Sequence, residues 1–441
     1  MIRVIFQPVF ILLSAVIAYA ATCPATPATT VTYYVATNEP GAHNTTCNGL
    51  HPTNQGGANC PFKDFTAIPV REKLYKTAGG SSPTKNVTVK VRTGTYIIQP
   101  LELFVGEPVT GLIINANGAN ENEFVVLTNY NNEVVTLDGT CGLGIPECNI
   151  PGAPNKTAVI MEIYGDRVVV QGLRFDNAAI RNTQIGATNT FFQCNILAGP
   201  YDADSDSVKN TTPVGPVTIY GNTFNGSYEQ AIDATTAQNW TISFNRFTNG
   251  VKGVGFKFGA QNNMISDNTF SNLTNEAISM GAAGSSNHVN DYEAVNIIAR
   301  NNLIQTVGTG LQVFWCNGCQ IIGNQIIGAA HGINFGSDET TQQSGCRNGV
   351  GCLPTTGAVV TGNKFQTITG NVFITGKNPT MIANITAGTN NYCVTSGSAL
   401  FRYGVGDLTF TQWKTTTNTD TTSSLTCVVP AAPSTLSVKR G

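Results

Sequence analysis

Asp233 stands between Ile232 and Ala234, and Lys257 stands between Phe256 and Phe258. Ile278-Ser279-Met280, Leu311-Gln312-Val313 and Ile333-Asn334-Phe335 repeat the arrangement of one polar residue between two apolar ones. In an extended strand successive side chains alternate sides, so the flanks enter a core and the polar residue faces out. Stacked strands would then carry an outward column of Asp233, Lys257, Ser279, Gln312 and Asn334. β-Elimination at a sugar acid needs three groups: a base for the C5 proton, positive charge or metal for the enolate-like intermediate, and an acid for the leaving oxygen. A lysine can be that base where crowding or nearby cations lower its pKa. Lys257 is the candidate base and Asp233 its neighbour; the competing reading is a salt bridge between the two.

Further candidates share the face. Glu229, Lys252, Asn275 and His331 fall where the chain enters these strands. His288, Asp291 and Tyr292 lie on an insertion, about 282–292, expected to overhang the same edge. Lys257, Asp233, His288 and His331 are read as catalytic, and Ser279, Gln312, Asn334, Glu229 and Lys252 as substrate-binding. Two residues before each column residue stand Ala231, Gly255, Ala277, Gly310 and Gly332. A polar column beside a strip of small residues suits a groove for an extended sugar chain, against the plainer reading of a solvated sheet face. Asp202-Ala-Asp204-Ser-Asp206 has the spacing of the first half of a calcium loop. Its second half is missing, since no Gly follows Asp206 and Pro213 occupies the twelfth position. A simpler Ca²⁺ site on Asp202, Asp204 and Asp206 and a solvated acidic loop both remain open.

The elements that position these residues are repeats. Val217-Thr-Ile-Tyr-Gly-Asn222, Trp240-Thr-Ile-Ser-Phe-Asn245, Asn263-Met-Ile-Ser-Asp-Asn268 and Cys319-Gln-Ile-Ile-Gly-Asn324 each read as a short strand ending in Asn. Steps of 23 residues separate Asn222 from Asn245, Asn245 from Asn268, and Asn301 from Asn324. Asn195 and Asn363 fit the slot, and Leu173 takes it one coil before Asn195. Two or three short strands per repeat of 22 to 23 residues imply a right-handed parallel β-helix whose coils stack on one another. A leucine-rich repeat has a similar period, but its Leu spacing is absent. The recurring Asn tolerates an unusual turn backbone and can bond the coils on either side as a ladder.

Composition agrees. Of 441 residues 11% are charged, Gly numbers 46 and the net charge is −2. That excludes a helical bundle, a disordered chain and a nucleic-acid footprint. Arg3, the apolar run Val4–Ala18 and Ala18-Tyr19-Ala20 form a signal peptide over residues 1–20, too short for a membrane anchor. A secreted single domain, 21–441, is expected: an N-terminal cap to about 80 with a helix in 61–76, coils over 81–386, and a C-terminal cap over 387–441. A monomer is expected, with a polysaccharide as partner and neither nucleic acid nor membrane. In an oxidising compartment the 12 cysteines pair. Cys141/Cys148, Cys346/Cys352, Cys47/Cys60 and Cys393/Cys427 are plausible, and Cys316-Asn-Gly-Cys319 reads as structural rather than redox-active or zinc-binding. Eight N-x-S/T sequons occur, at Asn44, Asn86, Asn155, Asn210, Asn225, Asn239, Asn272 and Asn384.

Tyr33-Tyr-Val-Ala-Thr-Asn38 followed by Pro61-Phe-Lys resembles the opening of secreted β-helix proteins of the pectin-lyase-like superfamily. Arg92-Thr-Gly-Thr-Tyr96 resembles their first-coil element, and Phe256 to Asn262 and Tyr292 to Asn296 resemble mid-helix segments. The resemblance implies the fold; the superfamily holds lyases, hydrolases, epimerases and non-enzymes. The adjacent Asp pair, Gly-His-Gly and Arg-Ile-Lys of polygalacturonases are absent, as is the Trp-Ile-Asp-His of many pectate lyases. No Gly-x-Ser-x-Gly elbow or phosphate loop is present. The leading expectation is a polysaccharide lyase on an acidic glycan, with Ca²⁺ as the one candidate cofactor. A non-catalytic glycan-binding or surface-coat protein is the alternative; an ice-binding face would need regular Thr ranks.

Overall fold

The computed structural model describes residues 31–67, 87–98, 110–114, 124–140, 149–150, 153–154, 159–163, 166–178, 194–198, 214–227, 230–257, 259–281, 292–336, 355–375, 382–383, 385–393, 401–403 and 406–425. Its strands stack as the coils of a right-handed parallel β-helix. One 11-stranded sheet runs along one side, a 19-stranded sheet holds two further strand columns, and a 5-stranded sheet closes the later coils. The pairings are parallel except at two short hairpins, 149–154 and 401–408.

Alternation decides what enters the core. In the 11-stranded sheet the inward row reads Leu127, Val170, Ile219, Ile242, Ile265, Ala299, Ile321 and Val360, all buried. In the facing column Phe175, Phe224, Phe247 and Phe270 occupy one register position and stack at 4.9, 4.8 and 4.6 Å. Those spacings match the rise between coils. Each ring adds roughly 1.5–3 kcal/mol by burial, and each stacked pair about 0.5–1.5 kcal/mol more.

The ladder runs along one edge through Asn222, Asn245, Asn268, Asn302, Asn324, Asn363 and Asn390. Each Oδ1 accepts from the backbone N–H and the Nδ2 of the preceding member, as Asn245 does from Asn222 at 2.9 and 3.1 Å. Each Nδ2 also donates to a carbonyl further back, as Asn245 does to Ile219 at 2.9 Å. Two sequence assignments are corrected. The member after Asn268 is Asn302, not Asn301. Asn301 is the residue before it, exposed and left-handed at φ 54°. The tandem Asn pair let an equal count of 23 select the wrong one. Asn195 is not a member either: Asn222 accepts directly from Leu173 N–H, while Asn195 lies in the strand Cys194–Ala198 that pairs with Gln230–Thr235. That coil is long, 49 residues from Leu173 to Asn222.

The ends also differ from expectation. Residues 61–67 form no helix; Phe62 instead bridges Val35 and is fully buried. The remainder of the expected capping helix lies outside the described residues. The coils do not stop at 386, because Thr386–Gly388, Asn391–Cys393 and Phe401–Tyr403 continue the sheets in register. The cap that follows contains the helix Phe410–Thr417, started by a capping box between Thr409 and Gln412. It lays Phe410 and Trp413 on the last aromatic layer, 5.6 and 5.2 Å from Phe401. Asp420 and Ser423 close the ladder on Asn390.

Cys47–Cys60 and Cys316–Cys319 are disulfides, and Cys393 is disulfide-bonded. Cys316 and Cys319 are both buried, which fits the structural role. Cys141, Cys148, Cys346, Cys352 and Cys427 lie outside the described residues. Among the described residues no helix is long and apolar enough to cross a membrane.

Candidate functional site

Gln230–Thr235, Lys252–Lys257, the second halves of Thr269–Met280 and of Leu303–Val313, His331–Phe335, Phe373–Thr375 and Phe401–Tyr403 belong to one strand column. Ile232, Val254, Ile278, Leu311, Ile333, Phe373 and Phe401 form its buried row. The next residue in each strand faces the other way: Asp233, Gly255, Ser279, Gln312, Asn334, Ile374 and Arg402. Asp233, Ser279, Gln312 and Asn334 thus share a row, as their spacing implied.

Lys257 does not belong to that row. It stands opposite Thr235, and Gly255 stands opposite Asp233. The count of ten to twelve residues past the ladder spans two outward positions, ten and twelve past Asn245, because alternation has a period of two. The nearer one is the glycine. Lys257 nonetheless leans back over that gap, and its Nζ lies 2.9 Å from Asp233 Oδ2. A side chain at Gly255 would collide with the Gln230 amide, which covers the gap. Asp233 is fully buried and Lys257 is 7% exposed.

The strip of small residues is corrected as well. Its register is Ala231, Gly253, Ala277, Gly310 and Gly332, with Gly253 in place of Gly255. A Cβ at Gly253 would collide with the Ala277 carbonyl oxygen and come within 2.7 Å of the Phe270 ring. At Gly310 it would meet the Gly332 oxygen at 2.6 Å and Ile326 at 3.1 Å. These positions are small because the aromatic layer and the next coil crowd them, so the strip is interior packing and no groove floor.

Polar groups line the start of the same strands. Gln230, Lys252, Glu276, Thr309 and His331 follow one another, with Lys252 Nζ 2.9 Å from Glu276 Oε1. A bulge between Leu273 and Glu276 puts Glu276, not Asn275, next to Lys252. His331 Nδ1 accepts from Asn371 N–H at 3.3 Å, and its ring lies against Gly370. Burial pushes its pKa below 6.5, and the Arg402 charge pushes the same way. The neutral ring therefore carries its proton on Nε2. Arg402 Nε bonds Asp407 Oδ1 at 2.9 Å, which holds the Asp407 carboxyl below its usual range.

The face opens along its length. Asp233, Lys257 and Ser279 are buried, Gln312 and Asn334 half-buried, and Arg402 exposed. Ser279 Oγ donates to Gly281 O at 2.6 Å. Asp233 Oδ1 and Asn334 Oδ1 are buried atoms with no hydrogen-bond partner among the described residues. Trp315, half-buried and left-handed at φ 44°, sits at the turn leaving this column; its carbonyl accepts from Glu293 N–H, and the Glu293 carbonyl from Gly259 N–H. Glu276, Arg402 and Trp315 were not singled out from sequence. Arg402 lay beyond the assumed last coil, and Glu276 was hidden by the bulge. Glu229, His288, Asp202, Asp204 and Asp206 lie outside the described residues. The register that aligned Asp206 with Asp233 fails, since Leu197 stands opposite Asp233. Among the described residues no three His, Cys, Asp or Glu side chains gather as metal ligands.

No family profile and no curated protein sequence matches this chain. Solved structures do. The GH136 lacto-N-biosidase of Eubacterium ramulus aligns with a TM-score of 0.50 at 11% identity, over 90% of this chain. This chain spans 66% of that structure's length. This chain shares the parallel β-helix fold with that structure. A rhamnogalacturonan lyase aligns at 9% identity over 87% of this chain and 86% of its own, with a TM-score of 0.46. A pectate lyase aligns at 11% identity over 86% and 79%, with a TM-score of 0.45. At these identities the likeness is one of fold.

Proposed function

We propose that the protein is a secreted, polysaccharide-active enzyme that binds an acidic glycan along the row from Asp233 to Arg402 and cleaves it by β-elimination. One observation carries the reading. In a chain with 11% charged residues, Lys257–Asp233, Lys252–Glu276, Arg402–Asp407 and His331 all occupy one strand column. Their cations suit the carboxylates of a uronic-acid chain, and coils about 4.8 Å apart approach the scale of a sugar residue. The fold is also one on which lyases and glycosidases are built.

The geometry changes the role of Lys257. A buried ion pair favours its protonated form. Lys257 is therefore assigned as fixed positive charge against the developing enolate, not as the base. His331, neutral with Nε2–H outward from its Asn371 bond, is assigned as donor to a glycan oxygen. Proton abstraction is left to His288, in the stretch of sequence between Gly281, which is in line with Lys257, and Tyr292. Ca²⁺ on Asp202, Asp204 and Asp206 would add further positive charge.

The closed Lys257–Asp233 pair also favours a second reading, a glycan-binding protein without turnover. The deciding experiment incubates the protein with a panel of uronic-acid polysaccharides, with and without Ca²⁺, and follows the ultraviolet absorbance of unsaturated product. Product that survives in Lys257→Arg but is lost in His288→Ala supports these roles. Binding along the face without product supports the second reading.

A further inference from the structure

Phe244 occupies a turn position filled by Gly221 on the preceding coil and by Asp267, Asn301, Gly323 and Gly362 on later ones. All these positions are left-handed, with Phe244 at φ 57°. That conformation suits Gly, Asn and Asp; a bulky residue there is an outlier held against its preference. Phe244 is also 48% exposed, the one aromatic among the exposed large apolar residues of the described chain. Its ring meets that of Tyr220, on the outer face of the 11-stranded sheet, at 5.4 Å and 55°. The pair contributes little to the core and sits where a glycine would cost less.

We infer that Tyr220 and Phe244 form a second glycan contact, a platform that receives the apolar face of a pyranose ring. Phe244 is exposed and Tyr220 half-buried, and tilted aromatics present a π surface to the C–H groups of a pyranose face. Asp267 holds the same turn position one coil on, a polar neighbour for sugar hydroxyls. The ladder turn separates this platform from the column of Asp233 and Arg402, so one chain could occupy both only by crossing that edge. The ligand class rests on the glycan reading above; the location does not.

Phe244→Gly tests it, because glycine is the neighbours' own choice and should not harm folding. Parent, Phe244→Gly and the face variant Gln312→Ala are compared by affinity electrophoresis in gels containing each polysaccharide of the panel, with melting temperature as the folding control. The expected result is a several-fold loss of retardation in Phe244→Gly at an undiminished melting temperature. Retardation equal to the parent's overturns the platform, and if Gln312→Ala alone is weakened, the glycan-binding face survives without it. Loss in Phe244→Gly with none in Gln312→Ala keeps the platform and sinks the face. Absence of retardation in the parent overturns both. A change of sedimentation coefficient in Phe244→Gly without a change in retardation marks the pair as a protein contact and overturns the sugar assignment.

Discussion

Lys257 and Asp233 are joined at 2.9 Å although they are not opposite each other in the sheet. The glycine opposite Asp233 leaves room beside the pair for the Gln230 amide. Taking either partner away strands the other charge in a buried site, which typically costs about 3–5 kcal/mol.

Lys257→Met should therefore lower the denaturant midpoint strongly, contrary to what an exposed column residue would do. Lys257→Met combined with Asp233→Leu should recover most of the loss, because the uncompensated charge goes with it. A single Lys257→Met that unfolds like the parent would show that the pair is hydrated and its burial immaterial.

Asn302→Ala should cost about 1–3 kcal/mol by leaving buried backbone groups on neighbouring coils unpaired. Asn301→Ala removes an exposed side chain and should cost much less, limited to the left-handed backbone. Comparable unfolding free energies for the two variants would contradict the ladder register.

Gly253→Ala places a methyl group against the Ala277 carbonyl and the Phe270 ring. Overpacking of this kind typically costs about 1–3 kcal/mol. Were the strip an outer groove floor, the same change would leave the melting temperature unmoved and alter only glycan affinity. Calorimetric melting of the variant separates the two.

His331 has a folded pKa below its ordinary 6.5, from burial and then Arg402. Between the two values the unfolded chain holds more protons than the folded one, so stability rises with pH there. The neutral ring's contribution is complete above 6.5 and fades as pH falls from 6.5 through the folded value. The parent should lose stability over that window relative to His331→Gln, and parallel pH–stability curves for the two would refute it. Groups facing the ring that would shift the curve are Arg402 and, through it, Asp407.

The repeat was legible because a ladder of buried amides and an alternating core both impose strict spacing. Asp233, Ser279, Gln312 and Asn334 could be aligned from spacing alone. Lys257 could not, because two outward positions lie within the tolerance of a coil count and only backbone pairing separates them. Glycine misled twice: Gly255 vacates the polar row, and Gly253 serves the interior. Arg402 was hidden for a different reason. Beyond Asn363 the strands carry mixed residues and the step to Asn390 is 27, so the period fades in sequence while the coils persist.

The ladder has a direction. Every asparagine oxygen receives from the coil before it, and the last bonds fall to Asp420 and Ser423. A coil such as 246–268 enters and leaves this chain of donors in the same state, since the Asn245–Asn268 and Asn222–Asn245 bonds are alike. Whole coils can therefore be duplicated or excised with no donor left over, whereas a fractional coil cannot. Length, in units of one turn, is the dimension along which such a gene can drift most cheaply, and the segment carrying Asp420 is the piece that must travel with the end.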